Sequence, residues 1–299
     1  MYHGIINIKK EKGYTSHDVV ARLRGILRQK KIGHTGTLDP DAEGVLPVCL
    51  GQGTKLCDML TDHSKEYCAV LRLGVCTDTE DMTGTVLETR PVTCSEEEVR
   101  SVVESFVGSY EQIPPMYSAI KVNGKKLYEL ARAGKSIERK ARTVEITEIQ
   151  IEEIALPRVR LRISCSKGTY IRSLCRDIGE KLGCGGCMEE LLRTRVGNFG
   201  LETALTLEEV EKLQQQGGIE DFLLPLDEAC AQYPAVSVKE EGEKALKNGN
   251  PLHPSCLLGN KEAAKEIRVY DGKGKFTGIY AYRREKGLYF PQKMFLERD

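Results

Sequence analysis

The chain has 299 residues, 44 basic and 44 acidic side chains, and 40% hydrophobic residues. That is enough apolar material for a core without disulfides, in one large domain plus a small one or in two of similar size. Zero net charge argues against a generic polyanion binder, and no apolar run approaches the roughly 18–20 residues of a membrane-spanning helix.

In chain order, MYHGIINIKKEKG carries its lysines after a short apolar stretch, the reverse of a secretory signal. The eleven cysteines are therefore expected as reduced thiols in the cytoplasm. Ser16 is placed to cap a helix with apolar positions Val19, Val20, Leu23, Ile26 and Leu27. On it and just beyond lie Arg22, Arg24, Arg28, Lys30 and Lys31, with no acid among them. Gly33 to Leu46 follows, reading GHTGTLDPDAEGVL. It sets one carboxylate, Asp39, in a loop of Gly, Thr and Pro, ahead of the apolar run Val45 to Leu50.

Tyr67, Ala69, Leu71 and Leu73 alternate as one face of a strand. Ser95 and Glu98 form a capping box before Val99, Val102, Val103 and Phe106. Lys121 to Arg142 holds eight basic and two acidic residues. Val144, Ile146, Ile149 and Ile151 slip by one position, which predicts a bulge. Val159, Leu161, Ile163 and Cys165 alternate with Arg158, Arg160 and Arg162, a strand with three arginines on its second face. Thr169 precedes a helix through Ile171, Leu174, Cys175, Ile178 and Leu182 that stops at Gly183. Thr206 and Glu209 open another, ended by Gly217-Gly218. Cys184-Gly-Gly-Cys187 lacks the second ligand pair of a zinc site and reads as ordinary thiols. After about Pro225 the pattern changes to short strand-like runs at 267–270, 276–282 and 288–290, with an Asp271-Gly-Lys-Gly turn. Strands and helices mix without a βαβ repeat, so an α+β fold is expected.

The chemistry narrows by exclusion. Neither Gly33-His-Thr-Gly36 nor Gly51-Gln-Gly-Thr-Lys55 has the spacing of a nucleotide-phosphate loop or a dinucleotide fingerprint, and no GxSxG elbow is present. What remains is Asp39 as nucleophile or base. Arg172, in Lys167-Gly-Thr-Tyr-Ile-Arg172, is its expected counter-ion, and Tyr67 a stacking wall for a planar substrate. Taken singly, each has a plain structural reading: Asp39-Pro40 an ordinary turn, Tyr67 a core residue, Arg172 a surface ion pair. A charge run is ordinarily a solvated face. Two segregated basic stretches, one leading into the Asp39 loop, point to an anion larger than a metabolite.

The Gly33–Leu46 stretch resembles the signature of the TruB family of tRNA pseudouridine synthases. So do Gly51-Gln-Gly-Thr-Lys55, Leu73 to Gly84, Gln112 to Lys121, Lys167 to Arg172 and Leu191-Leu-Arg-Thr-Arg-Val-Gly197. The likeness is collinear over about residues 4–225. It implies isomerisation of uridine 55 in the T loop of tRNA to pseudouridine, by glycosidic bond cleavage, base rotation and C–C rejoining. It implies a pseudouridine synthase fold with a mixed, mainly antiparallel central sheet flanked by helices. The catalytic domain is expected over 1–228, with a T-arm-binding segment at about 95–142, and a β-rich, PUA-like RNA-binding domain over 229–299. No cofactor, metal, membrane or obligatory protein partner is implied, and the state expected is a monomer.

By the same resemblance Asp39 is the nucleophile, attacking either the ribose C1′ or the base, and Arg172 pairs with it. Tyr67 lies against the uracil and helps move the C5 proton. Tyr170 and Leu191 help form the uridine pocket, and Lys10 belongs to the substrate-binding set. His34 enters the loop where the target base was. The loop's glycines are read as slack that lets backbone and RNA approach. Two departures stand out. Lys9-Lys10-Glu11-Lys12-Gly13 lacks a proline usual in the family, which predicts a looser loop, and Leu192 replaces a usual arginine. Two rival readings have other requirements: a noncatalytic tRNA-folding chaperone, and a guide-RNA-dependent synthase subunit.

Overall fold

The computed structural model describes residues 1–122, 124–259 and 264–296. In chain order its elements begin with Gly4–Lys10 (β1), Ser16–Ile26 (α1), Ile32–His34 (β2), Glu43–Leu50 (β3), Cys57–Thr61 (α2) and Lys65–Leu73 (β4). Val75–Thr77 (β5), Val86–Thr89 (β6), Glu96–Glu104 (α3) and Gly108–Gln112 (β7) follow. Next come Lys121–Val122 (β8), Lys125–Lys126 (β9), Leu127–Arg132 (α4), Arg142–Ala155 (β10), Arg158–Cys165 (β11) and Ile171–Lys181 (α5). Gly186–Val196 (β12), Phe199–Gly200 (β13), Leu207–Gln216 (α6) and Leu223–Leu224 (β14) complete the larger part. The remainder comprises Ala235–Val238 (β15), Glu240–Lys247 (α7), Leu257–Leu258 (β16), Glu266–Tyr270 (β17), Phe276–Arg283 (β18) and Leu288–Met294 (β19).

Among the described residues, ten strands form one sheet in the order β14-β1-β3-β12-β4-β11-β10-β7, with β13 beside β12 and β2 beside β3. The β3–β12 pair is parallel and its other pairs are antiparallel, as expected of a mixed, mainly antiparallel sheet. β4 lies near the middle because its alternation buries Tyr67, Ala69, Leu71 and Leu73 against Leu174 and Ile178 of α5 and Val99 and Val103 of α3. A second cluster joins Val19, Val20 and Leu23 of α1 to Ile6, Ile8, Leu46 and Val48 and to Val210 of α6. Each such large aliphatic side chain removed from water contributes about 1.5–3 kcal/mol. The β10 register shifts between Ile146 and Glu148, at the predicted slip.

The last five strands form a separate sheet, β16-β15-β17-β18-β19, with its own cluster around Val236, Ile267, Tyr280 and Tyr289. Ile279 and Phe295 from this part pack with Ile5, Val45 and Cys49 of the larger one. No described helix is long and apolar enough to cross a membrane.

The helix starts differ from expectation in two places. Thr15, not Ser16, caps α1: its side chain accepts from the Asp18 amide at 3.0 Å, and Asp18 accepts in return from the Thr15 amide at 2.8 Å. Extended backbone at Thr15 points its hydroxyl at the orphan amides, whereas Ser16 is already helical and buried. Tyr170, not Thr169, precedes α5, and its side chain makes no cap. The boxes at Ser95/Glu98 and Thr206/Glu209 form as predicted.

Arg158, Arg160 and Arg162 do line the second face of β11, but carboxylates occupy them. Arg158 pairs with Glu189 at 2.7 Å, Arg160 with Glu153 at 3.9 Å, and Arg162 with Glu152 at 2.6 Å and Glu66 at 3.2 Å. In Cys184-Gly-Gly-Cys187 the glycines matter most. A Cβ on Gly179 of α5 would stand 2.3 Å from the Gly185 carbonyl carbon, so the bare backbones let α5 settle onto β12.

Candidate active site

The loop that carries Asp39 is pinned from several sides. Leu38 and Ala42 are buried on either side of it. The Leu38 amide donates to the Ser16 hydroxyl at 2.9 Å, the partner that replaces a capping role for that serine. The Ala42 amide donates to the Asp39 carbonyl at 3.2 Å, closing a tight turn. The Pro40 carbonyl accepts from the Gly13 amide at 2.9 Å and from Lys10 Nζ at 2.9 Å. The N-terminal segment without its proline is therefore tethered to the Asp39 loop.

Lys10 needs correcting. Expected in the substrate-binding set, it is fully buried, with its ammonium on the Pro40 and Glu11 carbonyls. Burial brings its pKa down to about 8, against the pull of Glu43 and Asp39. It props the loop from behind and presents no ammonium to solvent.

Arg172 comes from the first turn of α5. Its Nε lies 2.9 Å from Asp39 Oδ2, and its Nη2 donates to Oδ1 at 3.3 Å, a two-pronged grip that fixes the carboxylate plane. The same guanidinium donates to the Thr79 carbonyl at 3.0 Å and the Tyr117 carbonyl at 2.8 Å, and Asp81 Oδ2 stands 3.7 Å from its Nε. Arg172 is 5% exposed and the Asp39 side chain 39%, so one carboxylate oxygen can face a substrate while the cation stays dry. Burial outweighs the arginine electrostatically: the Asp39 carboxyl is pushed above its ordinary range, with Asp81 adding to the push and Arg172 and Lys10 pulling back. The counter-ion expected from the sequence is in place, but it orients Asp39 more than it acidifies it.

Tyr67 and Tyr170 both feel the Asp39 charge. Burial raises the pKa of both hydroxyls, so each is a neutral phenol. Tyr67 pairs across β4 with Ile163 and Arg193, and its hydroxyl lies against the Arg193 guanidinium. Tyr170 is held by Gln112, a 1% exposed side chain that accepts from the Tyr170 amide at 2.8 Å and donates to its carbonyl at 3.0 Å. This bidentate clasp fixes the backbone of Tyr170 at the start of α5. Leu191 sits opposite Ala69 in β12, half-buried against the cluster that contains Leu38 and Tyr67.

His34 stands at the end of β2, edge-on to His17 of α1 with ring centroids 5.4 Å apart. Its Nδ1 accepts from the Gly36 amide at 3.3 Å, and burial together with His17 and Arg193 brings its pKa down to about 4. At neutral pH the imidazole is uncharged with its proton on Nε2, a single donor beside the loop.

Several residues that shape the site were not singled out from the sequence. Arg193, 1% exposed, donates from Nε to the Val45 carbonyl at 2.7 Å and from Nη2 to the Gly36 carbonyl at 3.3 Å. It stitches both ends of the Asp39 loop to β12. Gly44, at φ 110, is where that strand closes in: a Cβ there would sit 2.1 Å from the Arg193 carbonyl oxygen. The slack attributed to this glycine serves the protein's own backbone. Asp81 completes the carboxylate pair around Arg172. Glu80, at φ 65, accepts from Ser173 at 2.6 Å and from Arg176, and Arg139 stands 3.9 Å away. Arg139 also donates to the Pro114 carbonyl at 3.0 Å, and Arg176 to the Ile113 carbonyl at 3.1 Å. Buried arginines and acids far apart in sequence look like any other charged residue in a string, which is why composition missed them.

The segment after β7 is thus docked on α5 and the Asp81 loop by arginines. α3 joins the main core through Val99 and Val103 and β7 through Tyr110, whereas none of the described residues of 113–141 belongs to it. There Lys121, Lys125, Arg132, Lys135 and Lys140 are exposed.

The family described as TruB family pseudouridylate synthase (N terminal domain) matches residues 24–171, and tRNA pseudouridylate synthase B C-terminal domain matches 172–231. A tRNA pseudouridine synthase B of Lachnoclostridium phytofermentans is 58% identical over 98% of this chain and 100% of its own. One of Alkaliphilus oremlandii is 50% identical over 95% and 94% respectively. Among solved structures, a Cbf5-Nop10-Gar1 complex superposes with a TM-score of 0.74 at 30% identity, covering 98% of this chain and 85% of that one. An H/ACA RNP bound to a substrate RNA containing 2′-deoxyuridine gives 0.73 at 27%, covering 99% and 86%.

Proposed function

The chain belongs to the TruB family of pseudouridylate synthases, and from that premise we propose that it converts uridine 55 in the T loop of tRNA to pseudouridine with Asp39 as nucleophile. The observation that carries the site assignment is the two-pronged Arg172–Asp39 pair, with a buried guanidinium, a partly exposed carboxylate and two neutral tyrosines beside it. The reaction breaks N1–C1′, turns the base and forms C5–C1′. The C5 proton leaves and N1 gains one, so the change is an isomerisation without redox. Ionised Asp39 supplies the electron pair, Arg172 fixes its direction, and Tyr67 offers the uracil a face.

The target base must leave its stack, at a cost of a few kcal/mol. Stacking on Tyr67, worth about 1–3 kcal/mol, offsets part of it. His34 fills the vacated space, and its Nε2–H suits an acceptor on a displaced base. Tyr170 and Leu191 wall the uridine pocket. Lys10, Gln112 and Arg193 position these groups without touching RNA.

In this reading residues 1–228 form the catalytic domain and 229–299 a PUA-like RNA-binding domain. The exposed cations of 113–141 hold the T-arm phosphates. Replacing Lys125 and Lys140 with Ala is expected to lower the slope of log K against log salt by about 0.7–0.9 for each phosphate left without its lysine. An unchanged slope would remove 113–141 from the surface that meets RNA.

The protein is proposed to act in the cytoplasm, as a monomer and without a guide RNA. The 58% identity to a bacterial synthase B supports that reading over the RNP-subunit one. Purified protein alone is expected to form pseudouridine at one T-loop position of an unmodified tRNA, read by primer extension after carbodiimide treatment. A need for added guide RNA would favour the RNP reading. Tight binding without turnover would favour the chaperone.

A further inference from the structure

A basic surface remains that the proposed chemistry does not use. Arg22, Arg24, Arg28, Lys30 and Lys31 are all exposed, and none of them forms an ion pair among the described residues. His17 and Arg24, seven residues apart, share one face of α1, so this face runs from the His34 contact away from the cleft. Arg24 Nη2 donates to the Ile32 carbonyl at 3.3 Å, which holds the guanidinium at the start of β2. Ile32 lies two residues before His34, about 7 Å along a strand. Arg28 follows the end of α1 and lines an open groove of about 570 Å³ with Arg22, Gln214 and Gln215, where Glu211 is the single acid beside the two arginines. The cations therefore form a track that begins beside His34 and leads outward along α1.

Its position in the sheet decides what it can hold. β2 pairs with β3, whereas segment 113–141 emerges from β7. Between β3 and β7 lie β12, β4, β11 and β10. Segment 113–141 reaches the Asp39 site through Tyr117, whose carbonyl meets Arg172, and the α1 cations reach it through His17 and His34, so the two basic surfaces approach Asp39 by different elements. A stem held on the 113–141 flank has its loop at Asp39, so RNA beyond the loop is what reaches the α1 flank. We infer that Arg24, Arg28, Lys30 and Lys31 form a second phosphate track, which holds the part of the folded tRNA outside the T arm. This rests on the proposed tRNA substrate and adds how a whole tRNA is distinguished from an isolated T-arm hairpin.

The test is the double variant Arg28→Glu/Lys30→Glu, assayed by binding and turnover on unmodified full-length tRNA and on an isolated T-arm hairpin. Full-length affinity is expected to fall at least about tenfold at moderate salt, with the slope of log K against log salt shallower by about 1.5. Hairpin affinity and turnover should stay within about twofold, which also shows the variant folded. Unchanged full-length affinity would overturn the track. An equal loss on both RNAs would overturn it too, since it would place the contacts inside the T arm. Wild-type protein inactive on both RNAs would instead sink the proposed reaction, while the two binding comparisons would still decide the track.

Discussion

Asp39→Asn is expected to lower pseudouridine formation by at least about a thousandfold while tRNA affinity changes by no more than about threefold. The amide has nearly the carboxylate's shape, so the turn, with Leu38 and Ala42 buried and Pro40 tied to Gly13 and Lys10, keeps its geometry. What disappears is the negative charge and the nucleophilic oxygen pair. Single-turnover assays with excess enzyme, alongside filter binding, separate the two quantities. Residual turnover within tenfold of wild type would remove Asp39 from the nucleophile's place and return its loop to the ordinary-turn reading.

Arg172→Met should be the most damaging change around that residue. It leaves Asp39 and Asp81, both within 4 Å of the guanidinium, without the cation between them. Breaking a fully buried pair costs about 3–5 kcal/mol, and because Asp39 is 39% exposed about 2–3 kcal/mol of stability is the appropriate expectation here. Thermal or urea unfolding reads that loss.

The pH dependence reads the electrostatics separately. Burial already raises the wild-type Asp39 pKa, so the acid limb of turnover should have its midpoint above that of an ordinary aspartate. Arg172 opposes that rise, so its removal moves the midpoint further toward neutrality. Whatever activity survives in Arg172→Met should recover as pH rises. A wild-type midpoint at or below the usual carboxylate range, or a variant midpoint that moves down, would contradict the pairing.

Motifs made legible most of what is contiguous in the chain. Alternation at 67–73 and 159–165 marked two central strands, because a strand with one face in the core must repeat every two residues. The Ser95/Glu98 and Thr206/Glu209 boxes marked helix starts, since orphan amides take whichever side-chain oxygen lies three residues back. The Thr15/Ser16 choice depended on which residue leaves helical geometry, a matter of one backbone dihedral that the letters do not carry.

By itself, the order of residues determined the α+β class, the Asp39 loop, Arg172 as its partner and the small β-rich C-terminal part. These rest on local spacing and on motifs that stay whole along the chain. Tertiary structure alone decided that Lys10 faces inward, that Gly44 admits Arg193, that Glu80 gathers Arg139 and Arg176, and that the arginines of β11 are spent on carboxylates. Each depends on which charge comes within a few ångströms of which other and on how much water remains between them. Packing sets both, and sequence separation does not.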